Sequence, residues 1–334
     1  MARTRLLFLP VTLAAAVALS ACGGSGSSDS APASTGAAGA STTAASASPI
    51  KVVATTTQLG DFVREIGGAG ADVTQVLQPN TDPHDYEPRP NDVTSTSGAK
   101  IVFESGNNLD RWMGKVVEQS GGSPTVVTLA DSNVDRLAGE ASGPEASRYD
   151  PHWWHDPANV EAAIPVIAQA LATANPGDRA TYEANADAYL RQVQAMDAGV
   201  KRCFAQVPES ERKLVTDHDA FNYFAKHFGI HVIGAVIPSQ TTTAQASAGE
   251  LARLAQTIKS EGVRAIFPET SVNSKLEKSI ASETGASADY TLYGDTLGPQ
   301  GSTGETYTKM EVANADQMVR GFTDGRDGCT VSGI

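Results

Sequence analysis

Residues 178–205 read DRATYEANADAYLRQVQAMDAGVKRCFA. Alanine, glutamate, glutamine and arginine dominate, and these are strong helix formers. Asn175-Pro176-Gly177 precedes the stretch and Pro208 follows it, so the segment is bounded by breakers. At 1.5 Å per residue, a helix of this length spans roughly 40 Å. Such a rod crosses a domain instead of packing inside one. It therefore divides the chain into what comes before it and what comes after.

Both sides carry the same pattern. Before the rod, short β-branched runs at 50–55, 73–77, 101–104 and 126–129 alternate with amphipathic stretches at 58–66, 91–99 and 109–119. Asp156-Pro157 then offers an N-cap and a first-turn proline for a helix reaching about residue 174. After the rod, strands are expected at 213–216, 231–237, 265–267 and 288–292. Helices are expected at 220–227, 244–260, 272–283 and 305–322. Alternation of this kind implies right-handed βαβ units and parallel sheets. The fold class is α/β: two lobes, each with a four-stranded parallel sheet and flanking helices, joined by one long rigid helix. The expected divisions are an N-terminal lobe at 50–176, the linking helix at 177–207 and a C-terminal lobe at 208–334. Ligands of open α/β sheets bind at the carboxyl ends of the strands, so the functional site belongs in the inter-lobe cleft.

The first 22 residues stand apart. Arg3 and Arg5 form a basic region, and residues 6–19 form an apolar run too short to span a bilayer. Leu19-Ser20-Ala21-Cys22 then resembles the lipobox of bacterial lipoproteins, in which the signal peptide is cut before the cysteine and its thiol is acylated. Residues 23–49 are almost entirely Gly, Ser, Ala, Thr and Pro and are expected to be a disordered tether. The formal net charge of −13 argues against a nucleic-acid partner. Outside the cytoplasm, Cys203 and Cys329 are expected to pair. The alternatives are two free thiols or thiolate metal ligands, although the spacing fits no zinc motif.

Three of the six histidines lie in informative contexts. His84 follows the second strand in Asp82-Pro83-His84-Asp85-Tyr86-Glu87-Pro88. His152 precedes a capped helix in Asp150-Pro151-His152-Trp153-Trp154-His155-Asp156-Pro157. His218 ends a strand in Val215-Thr216-Asp217-His218. Flanking prolines fix the backbone around the first two. Zn²⁺ takes imidazole nitrogens and carboxylate oxygens in tetrahedral array. Asp295, after the last strand, is a credible fourth ligand. Glu269 competes for that role or accepts an imidazole N–H from behind. His155 reads as cleft-lining or supporting, with a ligand role as the alternative. His227 and His231 read as surface or structural. Trp153 and Trp154 either wall the cleft or pack beneath it. Asp217 and Asp219 flank His218, and one of them is a candidate cap for the next helix.

Taken together, Asp82-Pro83-His84-x-Tyr86-Glu87-Pro88, Asp150-Pro151-His152-x-Trp154-x-Asp156-Pro157, His218-x-Ala220-Phe221-x-Tyr223-Phe224 and Asp295-x-Leu297-Gly298 resemble the zinc- and manganese-binding substrate-binding proteins of ABC importers. The likeness covers essentially all of 50–322. It implies two four-stranded α/β lobes on a rigid helix, with metal held by His84, His152, His218 and Asp295. It further implies a lipid-anchored, extracytoplasmic monomer that delivers its ion to a membrane permease. Manganese-binding relatives typically carry glutamate where this chain has His218, so the expected cargo is Zn²⁺, with Mn²⁺ as the alternative. The histidine-rich loop common in zinc relatives is missing from 131–150. That segment reads as a mobile lid, or as a contact for a metal-delivering chaperone. A zinc hydrolase would need an open coordination position and a nearby base. The chain has no His-Glu-x-x-His helix and no phosphate loop, so no enzyme is expected. An adhesin with structural zinc is a third reading.

Overall fold

The computed structural model describes residues 48–143 and 146–334. The lipobox cysteine Cys22 and most of the tether lie outside the described residues. Among the described residues, no helix is long and apolar enough to cross a membrane.

The first lobe is a four-stranded parallel sheet in the order β2-β1-β3-β4, from β1 (Ile50–Ala54), β2 (Ala71–Gln75), β3 (Ile101–Glu104) and β4 (Thr125–Thr128). β1 is central, and Val52, Val53 and Ala54 are fully buried, as a strand covered on both faces requires. Helix α1 (Thr57–Gly67) is capped by the Thr56 hydroxyl, which accepts from Leu59 N. Leu59, Phe62, Val63 and Ile66 form its buried stripe. Two short helices, α2 (Pro90–Thr96) and α3 (Met113–Gln119), complete the crossovers. Helix α4 (Pro157–Ala174) begins as its sequence demands, with the Asp156 carboxylate accepting from Ala158 N.

The rod is helix α5 (Arg179–Phe204), 26 residues and so about 39 Å long. Tyr182, Ala186, Tyr189, Val193, Met196, Val200 and Cys203 are buried along it. They recur at alternating intervals of four and three, a continuous stripe down one side. Its first half belongs to the first lobe: the Tyr182 hydroxyl donates to Gly70 O and that of Tyr189 to Asp61 in α1. Its last turn belongs to the second, where Phe204 meets Phe224, Phe228 and Phe322. One hydrophobic core runs from Val52 to Cys329 across both lobes, so the helix is cemented at each end.

In the second lobe, β5 (Lys213–His218) and β6 (His231–Ile237) pair in parallel around α6 (Asn222–Phe228). The expected four-strand ladder is reduced here. Residues 265–269 and 287–292 run alongside as the third and fourth positions but join only through isolated parallel bridges, Thr216 to Phe267, Ala265 to Ser287 and Glu269 to Leu292. Pro268 sits in the middle of the third segment and has no N–H to give, which interrupts the ladder. Helices α7 (Ala248–Glu261), α8 (Lys275–Thr284) and α9 (Tyr307–Phe322) follow, and α9 packs along α5. A disulfide joins Cys203 at the end of α5 to Cys329 near the C-terminus.

The described part of the segment expected to be a mobile lid, residues 131–143 and 146–150, is instead folded back on itself and tied down. Ala138 and Tyr149 form an antiparallel bridge, and Gly139 N donates to Arg148 O. Leu137 N donates to the Tyr223 hydroxyl of the second lobe, and Lys226 pairs with Asp135. Neither Asp217 nor Asp219 caps α6, which starts without a side-chain cap. Asp217 is buried, and Asp219 O accepts from Asn222.

Candidate metal centre

Four side chains meet at the carboxyl ends of strands from both lobes. His84 lies in the loop after β2 and His152 in the connection after β4. His218 is the last residue of β5, and Asp295 follows the segment that ends at Leu292. All four are buried, and they offer one ligand atom each within 4.8 Å of one another.

The local sequence explains the aim of each ring. In both Asp-Pro-His turns the aspartate accepts the N–H of the histidine two residues on: Asp82 Oδ1 from His84 N and Asp150 Oδ1 from His152 N, each at 2.9 Å. Proline between them fixes the turn. His152 Nδ1 also donates to Asp150 Oδ1 at 2.8 Å, and His218 Nδ1 donates to Glu269 Oε1 at 2.9 Å. A carboxylate can only accept, so Nδ1 keeps its proton and Nε2 is the nitrogen whose lone pair is offered to a metal.

Those lone pairs converge. His152 Nε2 is 3.3 Å from the Nε2 of His84 and 3.3 Å from that of His218. Asp295 Oδ2 is 3.5 Å from His84 Nε2 and 3.4 Å from His218 Nε2, while its Oδ1 is 3.4 Å from His152 Nε2. Neither oxygen of Asp295 finds a hydrogen-bond donor in acceptable geometry. Donor separations of 3.3–3.5 Å suit an ion bound at about 2.1 Å, the zinc–nitrogen distance. Imidazole lone pairs facing one another in a dry pocket repel unless protons or a cation lie between them.

The electrostatics agree. Burial opposes a charged His152, yet the carboxylates of Asp150 and Asp295 outweigh it and raise its pKa to about 9. For His218, burial is likewise overcome, by Glu269 and Asp295, and its pKa lies well above the usual range. Burial pushes the Asp295 carboxyl up, but the surrounding imidazoles of His218, His84 and His152 hold it far below the ordinary carboxylate range. The pocket is built for positive charge opposite one carboxylate.

Glu269 stands behind His218 as its acceptor and is not one of the four converging groups. Gly294 makes room for it: a Cβ there would fall on the Glu269 carboxylate. Trp154 packs edge-on against His152 and donates to Gly294 O at 3.3 Å, joining the lobes beside the site. Trp153 is buried beneath it and donates to Ser105. His155 belongs elsewhere. The 3₁₀ turn Trp153–His155 swings its ring onto Phe221, where Nδ1 pairs with Glu311 at 3.0 Å in the core. It lines no cleft and lies outside the converging group. His227 bridges Asp156 and Asp197, a structural role, and His231 is exposed. The supporting carboxylates Asp82 and Asp150 carry no sequence reading of their own; their signal is the repeated Asp-Pro-His.

Two α/β lobes on a stiff helix, with a polyhistidine–carboxylate cage between them, define a class of metal-capturing binding protein. Residues 52–321 match the family described as zinc-uptake complex component A, periplasmic, and the chain belongs to that family. The manganese-binding lipoprotein MntA of Halalkalibacterium halodurans is 30% identical over 274 residues, covering 82% of this chain and 89% of that protein. The metal ABC transporter substrate-binding lipoprotein SsaB of Streptococcus sanguinis is 30% identical over 325 residues, covering 95% and 99%. Among solved structures, the periplasmic zinc-binding protein TroA from Treponema pallidum superposes with a TM-score of 0.75 at 28% identity, over 82% of this chain and 99% of that one. The chain is a metal-binding substrate-binding protein of an ABC importer and not an enzyme.

Proposed function

We propose that the protein captures Zn²⁺ outside the cytoplasm with His84, His152, His218 and Asp295 and delivers it to the permease of its importer. One observation carries this reading: the Nε2 atoms of His84 and His218 each stand 3.3 Å from that of His152, and the Asp295 carboxylate lies 3.4–3.5 Å from all three with no hydrogen bond in acceptable geometry. Nitrogen-rich sites suit zinc better than manganese. The ion is cargo, so the site must let it go. The core shared along α5 resists rigid-body opening of the lobes, and release therefore belongs to the loop around Asp295 and to residues 131–150 once their ties to Tyr223, Lys226 and Gln240 let go. Acylation at Cys22 holds the protein near the permease, a reading supported by relatives that are named lipoproteins, and the protein acts as a monomer. A metal-delivering chaperone would approach by 131–150.

A second reading has its own observation. Asp295 turns Oδ1 to one imidazole and Oδ2 to two others, so it can bind through both oxygens. That gives five donors and opens the site to Mn²⁺, the metal named for the Halalkalibacterium relative. Because Zn²⁺ outcompetes Mn²⁺ in most nitrogen and oxygen sites, the deciding readout is uptake of radiolabelled Zn²⁺ or Mn²⁺ by cells with and without the chain. Uptake of Zn²⁺ that depends on the chain supports zinc, and uptake of Mn²⁺ alone that depends on it overturns zinc in favour of manganese.

A further inference from the structure

The loop after β6, residues 239–243, reaches the neighbours of three of the four converging groups. Thr242 Oγ1 donates to Asp82 Oδ2 at 2.6 Å. Gln240 Nε2 donates to Asp150 Oδ2 at 3.2 Å. Ser239 O accepts from Asp219 N, next to His218, at 2.9 Å. The first two contacts repeat one design. In each Asp-Pro-His turn of the first lobe, one aspartate oxygen holds the histidine backbone and the other is held by the second lobe.

The loop is itself braced. Thr241 Oγ1 pairs with Thr243 Oγ1 at 2.9 Å and accepts from Thr243 N. Gln240 N donates to Glu140 Oε1 at 2.7 Å, and Gln240 Nε2 also reaches Ala138 O at 3.1 Å. The same glutamine thus pins the 138–149 turn, Asp150 and the second lobe together. Asp82 and Asp150 are negatively charged acceptors, and hydrogen bonds to charged groups are the stronger kind.

We propose that residues 239–243 form an inter-lobe clasp that sets the residence time of the bound metal, with Thr242 and Gln240 acting as positioning residues through Asp82 and Asp150. With the clasp engaged, both first-lobe histidines are held against the second lobe at once. Lifting one loop takes the short contacts from both aspartates and leaves Asp150 only the 3.4 Å one from Asn222, so His84 and His152 withdraw together and the ion loses two donors in a single motion. The proposal rests on His84 and His152 being metal ligands.

The test uses the full chain loaded with Zn²⁺ and mixed with excess chromophoric chelator in stopped flow. The variants are Thr242→Val, Gln240→Met and the pair, with Thr242→Ser as the conservative rescue. Loss of one hydrogen bond to a carboxylate is expected to speed zinc release about tenfold, and loss of both to speed it further. Association rates and the visible spectrum of the Co²⁺ form should stay those of the parent, and Thr242→Ser should return release to within about twofold of it. Release rates unchanged in Thr242→Val and Gln240→Met overturn the clasp. So does a Thr242→Ser protein as fast as Thr242→Val, or an altered Co²⁺ spectrum, which would mean that the ligand set itself had been rebuilt. A parent chain that takes up no zinc overturns the reading of the site and the clasp with it. A parent that binds zinc, with variants at parental rates, overturns the clasp alone.

Discussion

His152 Nδ1 donates to Asp150 Oδ1 at 2.8 Å, and this one bond decides what the opposite side of the ring can do. It leaves the Nε2 lone pair facing His84 and His218. It also makes the imidazole more basic and fixes its plane. Asp150→Asn keeps the shape and removes the charge. Metal affinity is expected to fall about 10- to 100-fold, measured by chelator competition against the parent.

The pH dependence follows from the raised imidazoles. In the metal-free protein His152 holds its proton up to a pH of about 9, and His218 is shifted the same way. Metal must displace those protons, so affinity falls as pH drops below about 9. An onset near the free-histidine value of about 6.5 would follow only if these carboxylate partners were absent. The linkage to folding runs oppositely. The raised folded pKa of His152 adds stability to the metal-free protein that is fully present below about pH 6.5 and lost as pH rises through about 9, and His218 acts in the same direction. Titration calorimetry in buffers of differing ionisation enthalpy should register proton release on zinc binding at pH 7.

His155 supplies a control that separates burial from coordination. It is paired with Glu311 and stacked on Phe221 at 4.4 Å, with no exposure. Glu311 is itself pushed toward its neutral form by burial, a tendency that His155 opposes. His155→Leu strands the glutamate and should cost about 3–5 kcal/mol in denaturant unfolding. Zinc stoichiometry should remain that of the parent.

The last residues of the chain are held by Cys329, whose partner Cys203 is 126 positions away. A cross-link closing so long a loop restricts the unfolded chain strongly and contributes about 2–4 kcal/mol. Cys329→Ser should therefore lower the midpoint of thermal unfolding. Zinc affinity should be unmoved, because the bridge lies at the end of α5 and touches none of the four converging groups.

What the sequence made legible was local. Asp-Pro-His announces its own turn, because proline and an aspartate two residues before the histidine act over three positions. Asp156-Pro157 likewise announces the start of α4. The long bounded run at 178–205 revealed the rod, although not that its stripe of aromatic and aliphatic residues fuses both lobes into one core. Long-range partners were hidden. Nothing near Asp150 indicates Gln240, and nothing near Asp82 indicates Thr242, since these contacts cross 90 and 160 positions. His155 was misread because helical spacing puts it one turn from His152, whereas His152 precedes the 3₁₀ turn with a non-helical backbone (φ −85°, ψ 39°) and the two rings do not share a face. The broken ladder of the second lobe was not read, because a strand pattern of apolar residues does not weigh the missing N–H of Pro268. The lid reading of 131–150 rested on composition, which does not register that Tyr223 and Gln240 hold it down.

The central claim is that three imidazoles and one carboxylate enclose a single ion. X-ray absorption spectroscopy of the zinc-loaded protein tests it most directly. The account predicts one zinc per chain with three nitrogen neighbours and carboxylate oxygen at about 2.0–2.2 Å, and loss of one imidazole from that shell in His218→Ala. A shell of water oxygens or sulfur, or one that His218→Ala leaves unchanged, would contradict it.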